Sequence, residues 1–261
     1  MTPDTAGIVV VRVTDGVHWH ALEDDVVVGK GYALHRPDGR AFLSADTWRD
    51  DVFEVVAEAM AGDLGGPVFT VVDEDDREHL GRWSALGFRD HRRDDEFVVP
   101  TDPAATGLAA AATPPGYALR TADAVDEDRL RDLDDRLRRD VPGTAGWVST
   151  PEDFRTQTYD PRWLDPTTYL VAVHESDGEY AGLARVWRGR RVPRLGLVGV
   201  LPEHRRRGLA RALLAAAFRP LHERGVTQVA AEADAANAAS QDLLRSIGAT
   251  RTGGAIELVR R

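Results

Sequence analysis

The densest chemistry in the chain lies in residues 200–210, Val200-Leu201-Pro202-Glu203-His204-Arg205-Arg206-Arg207-Gly208-Leu209-Ala210. An apolar run precedes them, and Leu209, Leu213, Leu214, Ala217 and Leu221 follow at helical spacing. Pro202 has no N–H to give a sheet ladder, so the strand should end near Val200. The chain there reads strand, basic turn, helix N-terminus. The first turn of a helix leaves backbone N–H groups unpaired and carries about half a positive charge, a combination suited to phosphate. Gly208 permits close backbone approach, Ala210 keeps the wall low, and Arg205, Arg206 and Arg207 add charge at the same mouth. These residues outline a pyrophosphate cradle; a basic helix start lying on the surface is the plain alternative. A dinucleotide fingerprint would need Gly-x-Gly-x-x-Gly, and this turn holds only Gly208. Possible proton acceptors stand at two expected strand ends, Glu232 with Asp234 and His174 with Glu175. There is no cysteine and no Gly-x-Ser-x-Gly turn, which removes the usual covalent carriers of an acyl group.

The elements that must hold this turn fall into two runs. In the first, residues 8–13, 17–21 and 26–34 read as strands, with Asp15-Gly16 as a hairpin turn. A helix starts at Ser44 or Asp46 and runs through Met60, 68–72 is a buried strand, and 76–86 is a second helix. Strand-like pieces lie near Phe88 and at 97–99. Residues 101–116, rich in Ala, Thr, Pro and Gly, have no amphipathic period and read as an interdomain linker. The second run opens with a strand at 117–120. A helix follows, capped by Thr121 or Asp123, with Val125, Leu130, Leu133 and Leu137 on one face. Ser149-x-x-Glu152 resembles the capping box of a short helix. Strands at 169–174 and 181–187 are joined by a turn at Asp177-Gly178. After the cradle helix come a strand at 226–232, a helix at 237–247, and two last strands turning at Gly253-Gly254. Pro220 inside the cradle helix predicts a kink or an early end, since an interior proline costs about 3 kcal/mol.

The order of residues in the cradle, Val-x-Pro-x-x-Arg-Arg-x-Gly-x-Ala after a strand, resembles motif A of the GNAT family, the GCN5-related N-acetyltransferases. The element order over 117–261 is similar to that fold. Asn237, Ser240, Leu243, Leu244, Gly248 and Ala249 also resemble the family's downstream pattern, Asn-x-x-Ala-x-x-Leu-Tyr-x-x-x-Gly-Phe, with three departures. The resemblance implies an α/β (α+β) fold of mixed sheets, with acetyl-coenzyme A as cofactor. It places the pyrophosphate on Arg205, Arg206, Arg207, Gly208, Leu209 and Ala210, and the pantetheine arm along Leu197, Val198, Gly199 and Val200. It places the sulfur end near Asn237 and Ser240, although Asn237 as an ordinary helix N-cap is an equal reading. The family's tyrosine, often the acid that reprotonates the thiolate, is Leu244 here, so that role is vacant or filled elsewhere; Ser240 is one hydroxyl nearby. A shift of 161 residues carries Val229 to Val68, Asn237 to Asp76, Leu244 to Trp83 and Gly248 to Gly87, an internal repeat. The same shift puts Ser44 and Thr47 where Arg205 and Gly208 stand. The expected domains are a degenerate GNAT-like half at 1–100 without a cofactor site, the linker at 101–116, and a complete acetyltransferase domain at 117–261. That is the plan of tandem members of the family with one silent half.

Acetyl transfer needs a neutral amine, and a lysine-like amine costs roughly 4–5 kcal/mol to deprotonate at pH 7. Glu232 and Asp234 are the first candidate bases, with His174 and Glu175 behind them; a solvated strand-end carboxylate is the plain alternative. Trp147, Tyr159, Trp163 and Tyr169 fall in segments that the resemblance turns toward the acceptor, and core packing accounts for at least half of them. The expected function is direct N-acetylation of a small-molecule or peptide amine; the alternative is a non-catalytic acyl-coenzyme A sensor, with which Leu244 is consistent. At 261 residues, 43% hydrophobic and 29% charged, the composition is that of a globular protein. A formal charge of −10 disfavours nucleic acid and favours cationic small partners. Arg188, Arg190, Arg191 and Arg194 could join the arginine triplet as a basic patch, but no stacking aromatics are interleaved. Without an 18-residue apolar run or signal-like start, the expectation is a cytoplasmic monomer or homodimer, with no membrane and no metal.

Overall fold

The computed structural model describes residues 7–14, 16–189 and 191–261. Asp15 of the expected first turn and Arg190 of the basic patch lie outside the described residues. Two compact units divide the chain, 1–93 with 254–261, and 94–253.

In the first unit, strands β1 (Val9–Arg12), β2 (His18–Glu23), β3 (Val26–His35) and β4 (Ala41–Thr47) form an antiparallel series. Helix α1 (Asp50–Leu64) then returns the chain to β5 (Val68–Asp73), which runs parallel to β4, and α2 (Arg77–Ala85) follows. The chain's last strand closes this sheet, running antiparallel to β5 from Ala255 opposite Asp73 to Arg260 opposite Val68. Trp19, Ala21, Ala33 and Leu43 alternate onto the face that receives Val52, Phe53, Val56 and Met60 of α1. Residues 44–47, expected to open a helix, belong to β4 instead. They pair with β3 over the register Gly29–Thr47 to Lys30–Asp46 and onward, and that pairing overrides the local helical pattern. Only Trp48 and Arg49 then separate β4 from α1.

Strand β6 (Arg89–Pro100) is a single strand where two pieces were expected, and from Asp94 onward it belongs to the second unit. That unit continues with α3 (Pro103–Thr106), β7 (Tyr117–Thr121), α4 (Glu127–Arg139) and α5 (Pro151–Asp153). Strands β8 (Tyr169–His174), β9 (Tyr180–Trp187) and β10 (Arg194–Val200) form its antiparallel centre. Then come α6 (Leu209–Glu223), β11 (Gln228–Asp234), α7 (Ala238–Ser246) and the start of β12 (Thr250–Arg260). Its strand order is β6-β11-β10-β9-β8-β7, with β10 and β11 parallel. One face packs on Leu209, Leu213, Leu214, Ala217, Phe218 and Leu221 of α6. The other packs on Leu130, Leu133 and Leu137 of α4 with Phe154 and Tyr169. Helix α4 is capped by Asp126, whose carboxylate accepts from the Arg129 N–H, and it ends in Arg136, Arg138 and Arg139, which suit its dipole.

Several expected boundaries move. Residues 101–116 pack within the second unit: Asp102 caps α3, Thr101 and Thr106 are buried, and Leu108 joins the α6-side core. Single anchoring residues leave no period to read. There is no turn at Gly253-Gly254; β12 runs straight through, and the division between units falls at that point. The capping box sits one residue later than expected, with Thr150 and Asp153 satisfying each other's N–H groups. Helix α6 continues past Pro220 to Glu223, so the proline lies in its last turn. The internal repeat holds in these elements: shifted by 161, α7 falls residue for residue on α2, and β11 on β5 and β12 on β6 with one end displaced by one residue. Among the described residues no helix is long and apolar enough to cross a membrane.

Candidate active site

The connection from β10 to α6 is eight residues long, 201–208, against two between β4 and α1. It holds a 3-10 turn at Pro202–His204 and two left-handed residues, Arg206 at φ 62° and Gly208 at φ 85°. Gly208 is the residue before the helix, and no side chain caps α6. The N–H groups of Leu209, Ala210 and Arg211 therefore open onto a cleft of about 530 Å³. Leu197, Val198, Gly199 and Val200, then Arg205, Arg206, Gly208, Leu209 and Ala210, and Asn237 and Ser240 all border that one cleft. Arg207 does not border it; its guanidinium donates back to the Glu203 carbonyl at 3.2 Å.

The arginines differ in what they can offer an anion. The Arg205 Nε donates to the Val200 carbonyl at 2.8 Å, and its other end pairs with Asp140 at the end of α4. Arg205 thus ties the turn to strand and helix. Arg211, which sequence reasoning missed, borders the cleft and donates to the Gly107 carbonyl at 2.8 Å. His204 was missed too; it borders the cleft while its Nδ1 meets the Tyr117 hydroxyl at 2.9 Å. Nothing in the one-dimensional pattern joins residues 87 positions apart.

The strand side of the cleft comes from a divergence. β10 pairs with β11 only at Arg194 and Leu195, opposite Ala230 and Ala231. A register shift follows between Leu195 and Leu197, after which the β11-facing edge of β10 has no ladder partner among the described residues. Apart from the Val200 carbonyl, which Arg205 holds, backbone N–H and C=O groups on such an edge are available to an extended ligand arm. On the opposite wall the Asn237 carboxamide oxygen accepts the Ser240 N–H at 3.2 Å, so Asn237 is the N-cap of α7. Asp76 does the same for His79 in the first unit. Ser240 and Leu243 face the cleft, whereas Leu244 is 3% exposed in the α6-side core. Leu244 therefore does not border the cleft.

Neither candidate base borders this cleft. Glu232 accepts from Arg194 at 2.6 Å across the strands, and the pair is half exposed. The Asp234 carboxylate accepts the Ala236 N–H at 2.7 Å and so holds the turn into α7. His174 bonds Asp177 at 3.0 Å and leans on Tyr117, and Glu175 is exposed. A second cavity, of about 270 Å³, is bordered by Trp163, Trp187, Thr158, Asp160, Arg188 and Arg194, among others. A Cβ on Gly196, at the register shift, would stand 2.8 Å from Trp187 ring atoms, so the indole packs directly against the strand there. The two cavities flank the same irregularity in β10. Of the four expected aromatics Trp163 borders the second cavity; Trp147 and Tyr169 are buried, and Tyr159 stacks on Phe154.

Behind Trp187 lies a buried ionic group. Arg185 donates to Asp134 at 2.6 Å and to the Tyr169 hydroxyl at 3.3 Å, and Arg138 donates to Asp134 at 2.5 Å. Burial alone would raise the Asp134 carboxyl, but the guanidiniums of Arg185 and Arg138 hold it below the ordinary carboxylate range. Burial pushes the Tyr169 phenol up, so it stays protonated. The Arg185 guanidinium stands 4.6 Å from the centre of the Trp187 ring and 5.2 Å from that of Tyr169.

A parallel strand–turn–helix whose uncapped helix start and unpaired strand edge share one cleft is the arrangement that the resemblance to the GNAT family implies. Residues 130–249 match the profile of the acetyltransferase (GNAT) family. The chain is 30% identical over 255 residues to a mycothiol acetyltransferase of Clavibacter michiganensis subsp. michiganensis, covering 94% of this chain and 77% of that protein. It is 35% identical over 164 residues to one from Thermobispora bispora, covering 57% of this chain and about half, 52%, of that protein's length. A GCN5-related N-acetyltransferase from Sphaerobacter thermophilus superposes with a TM-score of 0.71 at 19% identity, over 94% of this chain and 80% of the other. A tandem GNAT protein from the clavulanic acid biosynthesis pathway gives 0.69 at 17%, over 93% and 82%. At those identities the structures speak for the fold, which is two GNAT-like mixed-sheet units in tandem. The chain belongs to the GNAT family. It is an acyltransferase, and acetyl-coenzyme A is its acyl donor.

Proposed function

We propose that the second unit binds acetyl-coenzyme A in the 530 Å³ cleft and passes its acetyl group directly to an amine of a small molecule or peptide. The observation that carries this is the pairing of an uncapped α6 N-terminus with the free edge of β10 along one cleft. The N–H groups of Leu209, Ala210 and Arg211, with Arg206, would hold the pyrophosphate, and the β10 edge at Leu197–Val200 would hold the pantetheine arm. Acetyl-coenzyme A supplies an acetyl group activated as a thioester. The amine nitrogen bonds the acetyl carbon as the carbon–sulfur bond breaks; the amine gives up a proton and the sulfur gains one. Ser240 is the hydroxyl that borders the cleft on α7 and the group placed to pass a proton to the sulfur. Glu232 reaches the second cavity through Arg194, which makes it a base only by way of water. Asp234 is committed to the turn. The name of the relatives supports a small-molecule acceptor over a protein.

The first unit takes no cofactor in this reading. Two residues between β4 and α1 are too few to wrap a pyrophosphate, so the unit of 1–93 with 254–261 is read as the silent half and that of 94–253 as the complete one. Calorimetry with acetyl-coenzyme A, followed by thiol release across a panel of amines, tests the proposal. One site per chain and acceptor-dependent thiol release are expected; tight binding with no turnover on any amine would sink the transferase reading.

A further inference from the structure

We infer that the acceptor is an amine that also carries an anionic group, seated against Trp163 and Trp187 with its anion on Arg188; this rests on the transferase reading above. The second cavity, about 270 Å³, has room for a small ring or side chain and lies across the β10 irregularity from the cofactor cleft. Its charged groups are not equally available. Asp160 is tied to Arg162, which donates from Nε and Nη2 at 2.8 and 2.5 Å. Arg194 is tied to Glu232 at 2.6 Å. Arg188 has no carboxylate nearer than the Asp165 Oδ2 at 4.0 Å among the described residues, and Arg224 already holds that oxygen at 2.8 Å. Its backbone N–H donates to the Trp163 carbonyl at 2.8 Å, which roots Arg188 at the cavity wall, and its side chain is 59% exposed and open to a ligand.

Two further features decide against a cationic occupant. An ammonium on Trp187 would have to share an indole that the Arg185 guanidinium already engages at 4.6 Å. The carboxylate it would seek, Asp160, is neutralised by Arg162. Thr158 borders the cavity at 3% exposure, and no protein group hydrogen-bonds its hydroxyl among the described residues. That hydroxyl is a ready partner for a second polar group of the acceptor. A guanidinium without a close carboxylate, the indoles of Trp163 and Trp187 in the lining and a free hydroxyl suit an amino acid or an amino sugar phosphate better than a polyamine.

The test uses the full chain with matched acceptors: L-tryptophan against L-tryptophanamide, L-phenylalanine against L-phenylalaninamide, and glucosamine 6-phosphate against glucosamine. Thiol release gives kcat and KM for each, and calorimetry on the protein–coenzyme A complex gives binding without turnover. The anionic member of at least one pair is expected to be favoured by about tenfold or more in kcat/KM, through KM. Arg188→Gln removes the preference, Arg188→Lys keeps part of it, and Arg191→Gln, outside the cavity, leaves it intact. Equal or better use of the amides and of glucosamine overturns the inference while the transferase reading stands. Preferential binding of anionic amines without acetylation would overturn the transferase reading and keep this assignment. No binding and no turnover with any of the six would overturn it.

Discussion

Gly208 is where backbone geometry and cofactor charge meet most directly. Its φ of 85° is strained for any side chain, but no atom lies within 4 Å of where a Cβ would stand. Gly208→Asp therefore costs about 1–2 kcal/mol in backbone strain. A carboxylate before an uncapped helix regains part of that through the dipole. The same carboxylate would occupy the anion site itself. The expected outcome is loss of acetyl-coenzyme A binding by more than about a hundredfold with only a few degrees' change in Tm. Normal binding in calorimetry would show that the turn is not the anion site. Asp134 makes the opposite kind of prediction, large in stability. Asp134→Asn leaves Arg185 buried without its anion, a loss of about 3–5 kcal/mol. The folded-state pKa of Asp134 lies below its unfolded value, so its stabilisation is present above the unfolded pKa and is lost as pH falls through the folded one. Chemical denaturation from pH 7 down to 3 should show wild type losing stability steeply at the acid end and Asp134→Asn losing less. Parallel curves would mean the pair is not coupled to folding. The basic turn was legible from order and residue type. The Asp134–Arg185 pair was not, because 51 residues separate partners that only the α4 packing brings together.

At the scale of elements, α7 separates two sequence positions that a family pattern treats as adjacent. Leu243 borders the cleft and Leu244 is in the core, as a helical step of 100° requires. A hydroxyl restored toward the sulfur should come from Leu243→Tyr. Leu244→Tyr puts a phenol into a packed core and is expected to cost about 1–3 kcal/mol without helping turnover. A thiol with a pKa near 8.5 is only about 1.5 units from neutral at pH 7, so the gain from Leu243→Tyr should be modest and largest at high pH. A pH–rate comparison of the two variants decides it; faster turnover in Leu244→Tyr alone would reverse the assignment. Strands and helices with strong periods were read to within a few residues. The failures share a cause: β4, the β6 strand, residues 101–116 and the straight run of β12 through Gly253-Gly254 are fixed by what they pair with and not by their own pattern. Even so, the shift of 161 found α2 from α7, down to equivalent N-caps at Asp76 and Asn237.

At the scale of the whole chain, the unequal connections of the two units, two residues against eight, make stoichiometry the sharpest test. Both units contain a parallel strand–helix–strand with only two paired positions, Ala41–Val68 and Phe42–Phe69 in one, Arg194–Ala230 and Leu195–Ala231 in the other. Divergent strands alone would thus predict two cofactor sites. The connection length predicts one, because two residues cannot present a helix N-terminus and a wrapped turn together. Calorimetry should give a single site per chain, abolished by Gly208→Asp; a second site surviving that variant would restore the first unit as a binder. The same reasoning fixes the kinetic order. With no cysteine in the chain and no base bonded to the Ser240 hydroxyl among the described residues, Ser240 is not an activated nucleophile that could hold the acetyl group. The proposed reading therefore requires donor and acceptor to be present together, the donor in the cleft and the acceptor in the second cavity. Initial rates with both substrates varied should give intersecting double-reciprocal lines, and incubation with acetyl-coenzyme A alone should leave the protein's mass unchanged. Parallel lines with a mass gain of one acetyl group would require a covalent step that the side chains around the cleft do not supply.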